Sequence, residues 1–455
     1  MRALKVAVEG CCHGELNNIY ELLETAVDVL LICGDFQAIR NYADMSAISI
    51  PPKYKRLGDF CKYYSGEKIA PVLTVFIGGN HECSSYLREL QYGGWVAPNI
   101  YFLGEFGSIW INGVRITGIS GIYNERTFRN KRLHQVERLP YSEETVRSAY
   151  HVKPKSFLKM VLMNSGSQHD IVLSHDWPQH VEKQGNLELL LKMKPFFRQD
   201  ISRGRLGSPL NGMLLSWLRP RYWFSSHLHV KYEALITHQT KRCSDQRENK
   251  MAKRTKHNAE EINIDMDDEM TTHEGKGETN TVLGEETNIE VSKEQQHNPQ
   301  THFVALDKCL PKRKFLEIFD IVPRNNAEFS MPSTENAKGM KPTIFLDKRA
   351  IAVNKVVEDF FQNKGSHVDF SNLENLEDEA SSNTKLLQSL CKDVEREVAR
   401  LDTMHSENFE LSSSFKQIAP SYKEKCSKLR YWDNNQTLEF CNKFGIPYKS
   451  LESTA

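Results

Sequence analysis

Long apolar runs are missing from this chain. Nothing in its 455 residues approaches the ~20 consecutive apolar positions that a membrane-spanning helix needs. The opening MRALKVAVEG has an apolar stretch too short for an export signal, and it breaks at Glu9. The expectation is a protein that neither spans a membrane nor is secreted. Net charge is also missing. Lys+Arg and Asp+Glu number 59 each, so a polyanion would have to be met by a local basic patch rather than by the field of the whole chain. A disulfide framework has no basis either. Ten Cys are scattered along the chain, Cys11 and Cys12 adjacent, with no repeated CxxC. That pattern reads as reduced thiols in a cytosolic or nuclear protein, most of them small buried apolar residues. Aromatic residues vanish in one place: residues 237–302 hold no Trp, Tyr or Phe and are dense in Glu, Lys, Asn and Thr. Such a segment buries too little apolar surface to offset its ordering entropy, and is predicted to be a disordered insertion.

The rest of the chain has a different texture. Lys5–Glu9, Val27–Ile32, Val72–Ile77, Ile171–Ser174 and Tyr222–Ser226 are short β-branched or aromatic runs bounded by turn residues, and each predicts a strand. Helical patterns such as Leu16–Glu24 alternate with them, which predicts an α/β domain with largely buried strands. Order resumes after the insertion with FVALDKCLPKRKFLEIFDIV, a strand–turn–strand pattern. Tyr232–Ile236 and Phe303–Leu306 are expected in one sheet. Ile351–Phe361 and Leu386–Leu401 carry helical apolar spacing, whereas Asp402–Lys425 is polar and expected to be loose.

Five short motifs follow predicted strands: Gly10-Cys11-Cys12-His13-Gly14, Gly34-Asp35, Gly78-Gly79-Asn80-His81-Glu82, Ser174-His175-Asp176 and His227-Leu228-His229. Side chains at the C-terminal ends of neighbouring strands converge on one crevice, and glycine lets the backbone turn sharply there. One Cys, one Asp, one Asn and several His make a donor set suited to divalent transition metals. A carboxylate can bridge two ions ~3.5–4 Å apart, which would hold a hydroxide and clamp a phosphate in line for attack. Any one motif alone is a common structural turn. The ordered set of five is not.

The order GCCHG, GD, GNHE, His and HxH resembles the calcineurin-like metallophosphoesterases over about Val6–Val230. That resemblance implies a metallophosphoesterase β-sandwich flanked by helices, here with a smaller C-terminal domain. Cys11 stands where that superfamily usually carries an Asp, and Ser226 where a Gly is usual. Further blocks, among them YGGWVAPNIY, GISGIY, LSHDWP, YWFSSHLHVKY, ALDKCLP and NNQTLEFCNKFGIP, are similar to the lariat-debranching branch of the superfamily. The implied division is a catalytic domain over 1–236, the insertion over 237–302, and over 303–455 the end of the catalytic sheet with a C-terminal debranching domain.

The resemblance also implies roles. His13 and His229 would hold one ion with Cys11 beside them, and Asn80, His175 and His227 a second, with Asp35 bridging. Cys11 is either a ligand or a buried bystander. His81 would face the phosphate and assist the leaving group, while Glu82 and Asp176 would support ligand side chains from behind. One or two divalent ions per chain, Fe2+, Zn2+ or Mn2+, are expected, because a thiolate favours softer ions over magnesium. The implied reaction is attack of a metal-activated hydroxide on the 2′,5′-phosphodiester at the branch point of excised intron lariat RNA, with turnover in the nucleus and neither DNA nor membrane as partner. Another metal-dependent phosphoesterase or nuclease of the superfamily is the alternative. Residues 121–151 match the lariat recognition loop. Arg126, Arg129, Lys131, Arg132, Tyr150 and His151 supply the charge and flat faces that contact phosphates and unpaired bases. Tyr20, Tyr92, Trp95 and Trp177 fit either the cleft or the core.

Overall fold

Val29–Ile32 reads VLLI and Ile171–Ser174 reads IVLS, apolar at almost every position, which suits strands covered on both faces. The computed structural model of the chain shows both faces covered. It describes residues 2–23, 27–130, 137–164, 168–238, 298–324, 342–363, 382–412, 415–426 and 428–451. Nearly all of the predicted insertion, together with Lys131 and Arg132, lies outside the described residues.

Two sheets share the work. The first holds β1 (Leu4–Glu9), β2 (Val29–Ile32), β3 (Leu73–Phe76), β4 (Gly94–Ala97), β5 (Ile100–Phe102) and β12 (Leu316–Ile321). The second holds β6 (Phe106–Ile111), β7 (Val114–Ile119), β8 (Ile171–Ser174), β9 (Tyr222–Ser225), β10 (Tyr232–Thr237), β11 (Gln300–Ala305) and β13 (Ile344–Leu346). Their orders are β12-β1-β2-β3-β5-β4 and β10-β11-β9-β8-β7-β6-β13. In each, a parallel core carries the motifs: β1-β2-β3 in the first and β11-β9-β8-β7 in the second.

The alternation of side chains sorts the core into layers. Val6, Val8, Leu31 and Val75 of the first sheet meet Ile116, Leu173, Phe224 and Val304 of the second. The opposite face of the first sheet, with Ala7, Leu30, Ile32 and Phe76, packs on Leu16, Ile19, Phe60 and Tyr86 of helices Leu16–Glu21, Phe60–Tyr64 and Ser84–Glu89. The opposite face of the second, with Val172, Trp223 and Phe303, packs on Phe157, Leu214, Ile351 and Leu390 from the longer helices. This is the expected α/β sandwich flanked by helices.

Several expectations need adjusting. β11 and β12 form on either side of the 306–315 turn, but in different sheets, so that turn crosses the edge where the motifs gather. Residues 402–425 are not loose where described. Phe409 is fully buried, the Tyr64 hydroxyl donates to the Ala419 carbonyl (2.9 Å) and accepts its N–H (2.8 Å), and the Trp95 indole donates to Ser412 (2.9 Å). These anchors are single residues without a period, so the segment reads as merely polar. Tyr92, Trp95 and Trp177 are buried in the core, and the half-buried Tyr20 sits 2.9 Å from the Thr74 hydroxyl.

β10 and β11 pair antiparallel from Tyr232↔Ala305 to Thr237↔Gln300, and the His238 N–H still donates to Pro299 at 2.9 Å. The two chain ends that flank 239–297 are therefore held side by side. Closure entropy changes by only about 0.6 kcal/mol per halving of a loop. Replacing 239–297 by a short Gly/Asn turn is expected to leave the melting temperature and catalytic rate close to those of the full chain. Loss of solubility or of activity would show that the segment contributes to the fold or the site.

Candidate metal centre

Each parallel strand ends in a sharp turn at the same edge. His13, Asp35, His227 and His229 all take left-handed backbone conformations, with φ of 48°, 50°, 59° and 50°. Such non-glycine conformations cost of order 1–3 kcal/mol each and gather at functional sites. The turns are stitched together: the His13 N–H donates to the Asp35 carbonyl (2.7 Å), the Cys11 N–H to Asp307 (3.3 Å) and the Gly121 N–H to Gly78 (2.8 Å).

Asp35 lies at the centre. Its carboxylate is 1% exposed and accepts the His81 N–H at 2.8 Å. His175 Nε2 is 3.3 Å from Oδ1 and His13 Nε2 3.6 Å from Oδ2. Burial pushes its acidity down, but the rings of His175, His13 and His81, once protonated at acid pH, outweigh that and hold the carboxyl below the usual range. Burial, in turn, lowers His175 to about 4 and His229 to about 3, and lowers His13 as well. At neutral pH the three rings are uncharged and present lone pairs.

The tautomer of His175 is fixed. Nδ1 is 2.7 Å from the Cys33 carbonyl, a pure acceptor, so the proton sits there. Nε2 is then bare, yet it faces two oxygens, Asn80 Oδ1 at 3.1 Å and Asp35 Oδ1 at 3.3 Å. His13 and His229 likewise bring their Nε2 atoms within 3.3 Å of each other. Ligand atoms of Cys11, His13, Asp35 and His229 all lie within 4.8 Å of one another. So many lone pairs in a buried space repel unless a cation lies among them, and the donor types suit a divalent transition ion. His227 completes the second group, its ring centroid 5.0 Å from that of His175.

Cys11 is fully buried; burial first, and then Asp35, pushes its thiol up. Its Sγ accepts the His227 N–H at 3.3 Å. Ser226, in the usual place of glycine, donates to the Cys33 carbonyl at 2.8 Å and so braces the carbonyl that orients His175. His81 stands slightly apart: Nδ1 is 3.3 Å from the Ser49 carbonyl, leaving Nε2 the reactive nitrogen. Glu82 was expected behind a histidine ring. Instead its carboxylate accepts the N–H groups of Phe36 (2.7 Å), Gln37 (2.8 Å) and Gly79 (3.1 Å), tying the Asp35 turn to the Asn80 turn. Burial raises it to about 8 against those three donors. Asp176 turns one carboxylate oxygen onto the Trp177 N–H at 2.8 Å.

The loop residues lie to one side. Tyr150 and His151 line a crevice with Gly78 and Gly79, and His151 continues into a groove with Arg126, Thr127 and Arg147. Arg126 pairs with Glu144 (3.1 Å) and Arg129 with Glu125 (3.3 Å), so this patch is less positive than its sequence implies. Lys308, which no motif singles out, is bridged to Cys11 through the backbone. The clue was the run Lys308, Lys312, Arg313, Lys314 just after a strand.

Residues 4–231 match the calcineurin-like phosphoesterase family, and residues 298–449 match the C-terminal domain of lariat debranching enzymes. Lariat debranching enzyme A of Xenopus laevis is 38% identical over 456 residues, covering 97% of this chain and 70% of that protein. The chain belongs to the lariat debranching enzyme family. The Saccharomyces cerevisiae lariat debranching enzyme is 44% identical over 71% of this chain and 78% of its own length. With the Gallus gallus enzyme, 45% identical, the alignment covers 70% of this chain and 50% of the relative. The calcineurin-like phosphoesterase match implies divalent metal binding, consistent with the donor set of this family member.

A β-carbon on Gly79 would fall 2.3 Å from Asp35 Oδ1 and 2.7 Å from His175 Cε1. Gly79→Ala is therefore expected to displace both donor side chains. Bound metal, measured by mass spectrometry, should fall severalfold while circular dichroism stays native. Unchanged metal content would show that the turn yields without disturbing the donors.

Proposed function

We propose that this chain hydrolyses the 2′,5′-phosphodiester at the branch point of intron lariat RNA, in the nucleus, as part of intron turnover. The observation that carries this reading is the two-part family match joined to a buried donor cluster that lacks nothing needed to hold cations. Cys11, His13 and His229 would hold one ion and Asn80, His175 and His227 a second, with Asp35 between them. Bound there, such ions would neutralise phosphate charge and make water nucleophilic near neutral pH. Iron(II), zinc or manganese suits a set with one thiol and five imidazole or carbonyl donors better than magnesium does.

The chain's own groups supply the remainder. Asp35 holds its negative charge among neutral rings. The Cys33 carbonyl keeps the His175 proton on Nδ1, so Nε2 always faces the site. His81, hydrogen-bonded at Nδ1 to Ser49, would deliver a proton from Nε2 to the departing 2′-oxygen. Tyr150 and His151 lie beside the Gly78–Gly79 turn and would seat the branch nucleotide, with Arg126 and Arg129 further out on the RNA.

A synthetic branched RNA should be cut at the 2′,5′ linkage far faster than linear RNA at 3′,5′ linkages. Equal rates would overturn the debranching assignment and leave a general phosphoesterase. Asp35→Ala and Asn80→Ala should lose metal and activity together. His81→Ala should keep its metal while the rate drops ~10²–10⁴-fold, the usual contribution of a general acid. Parallel loss of metal in His81→Ala would remove it from that role.

Cys11 gives a separate test. A thiolate binds soft ions, and a buried thiol gives up its proton only when a cation takes its place. Cys11→Asp should keep the fold and shift metal preference toward manganese or magnesium, while Cys11→Ser should weaken one of two metal-binding events in a titration. Identical metal profiles for all three proteins would strike Cys11 from the ligand set.

A further inference from the structure

The order of the second sheet gives the site two flanks. Its parallel core runs β11-β9-β8-β7. β9 and β8 lead into His227, His229 and His175; β7 leads into residues 121–151, the loop flank. β11, on the far side, leads into Asp307 and Lys308, and nothing in the proposed function uses that flank.

It is built like a binding surface. Lys308 is bridged through the backbone to Cys11, two residues before His13. Arg313 pairs with Asp307 at 3.1 Å, and Lys194 shares the same electrostatic neighbourhood with Asp307, Arg313 and Lys308. Arg313, Lys194 and Lys308 thus gather around Asp307 in a chain of zero net charge. Lys194 Nζ also stands 5.8 Å from the ring centroid of Phe196. Phe196 is 67% exposed, so much of its ring is open to a partner. Its neighbour Phe197 is buried and holds it edge-on at 4.8 Å, so the exposed ring has a fixed seat. Cations beside the metal centre, one of them next to an exposed aromatic ring, match a single strand of RNA: phosphates on the cations, a base on the ring.

We propose that Lys308, Lys194, Arg313 and Phe196 form a shelf that binds the single-stranded RNA leaving the branch on the side opposite residues 121–151. The proposal rests on the debranching reading and adds to it a second strand-binding flank. Under it, the enzyme grips RNA on both sides of the scissile linkage, and substrate preference includes arm length as well as the branch.

The experiment uses the full chain and two branched RNAs, one with single-nucleotide arms and one with oligouridine arms of roughly ten nucleotides, a length matched to typical single-strand sites. Wild type should favour the long arms through a lower KM. Phe196→Ala should lower the ratio of kcat/KM between long and short arms roughly tenfold, as removing one stacked base does, and Phe196→Trp should restore it. Lys194→Ala should flatten the salt dependence of long-arm binding by about 0.7 in log–log slope, the share of one cation on a single strand. Photo-cross-linking of 4-thiouridine arms should mark the peptide that contains Phe196, a readout independent of cleavage. A wild type that cross-links there but cuts no branched RNA would refute the debranching reading and keep the shelf. An unchanged ratio in Phe196→Ala, or no cross-link, would overturn the shelf, and so would a change in self-association of the RNA-free protein on Phe196→Ala, which would make Phe196 a protein contact.

Discussion

An ionised carboxylate with almost no solvent, Asp35, sits where five strand ends meet, and the rest of the site is arranged so that it can stay ionised. Isolated in a protein interior such a charge would be neutralised by protonation. Here the His81 N–H points at it, and the rings of His175, His13 and His81 hold it ionised whenever they take up a proton. The braces are themselves polar and buried. Glu82 ties three N–H groups of the Asp35 and Asn80 turns. Arg40, fully buried, holds Asp44 at 2.8 Å and Glu89 at 2.9 Å and lies over the Tyr86 ring at 4.0 Å. Breaking a buried pair of this kind leaves an uncompensated charge worth 3–5 kcal/mol. The polar interior beside the first sheet therefore fixes turn geometry far more tightly than hydrophobic packing alone could.

The parts that sequence reasoning reaches are those whose signal is local. β1, β2, β3, β8 and β9 are short apolar runs, and the helices around Ile351 and Leu387 have a 3.6-residue period. The donors Cys11, His13, Asp35, Asn80, His175, His227 and His229 follow directly on such strands, so they could be proposed as one set, and the structure brings them to one edge. What stayed hidden is non-local. β6 (FGSIWI) and β7 (VRITGI) mix glycine, serine and arginine into their runs and fail an apolar-run test. β13 is three residues long and forms because β6 offers an unpaired edge. The place of Lys308 is not legible because a strand–turn–strand pattern does not say that its two strands enter different sheets.

That crossing explains why the C-terminal segment is inseparable from the catalytic part. β11 joins the second sheet, β12 the first, and β13 the far edge of the second. The helix Asn435–Phe444 does similar work with one side chain: the Gln436 amide accepts the Trp95 N–H at 2.8 Å and donates to the Trp95 carbonyl at 2.9 Å. It satisfies the outer edge of β4 as another strand would, and blunts an edge that would otherwise invite pairing.

The loop flank divides into a fixed root and an adjustable tip, and the energies decide which is which. Glu137 is fully buried and takes Lys153 at 2.6 Å, the Ser148 hydroxyl at 2.6 Å and Arg88 at 3.4 Å. Lys153 also donates to the Ser148 carbonyl at 2.6 Å, and Tyr141 meets Tyr431 hydroxyl to hydroxyl at 3.0 Å. These contacts pin residues 137–153, and with them Tyr150 and His151, to the scaffold beside the Gly78–Gly79 turn. The pairs Arg126–Glu144 and Arg129–Glu125 are exposed, and such pairs contribute about 0.2–1 kcal/mol. A phosphate can therefore draw either arginine away from its carboxylate at small cost. Tyr150 and His151 cannot move without stranding a buried charge, whereas Arg126 and Arg129 can change partners.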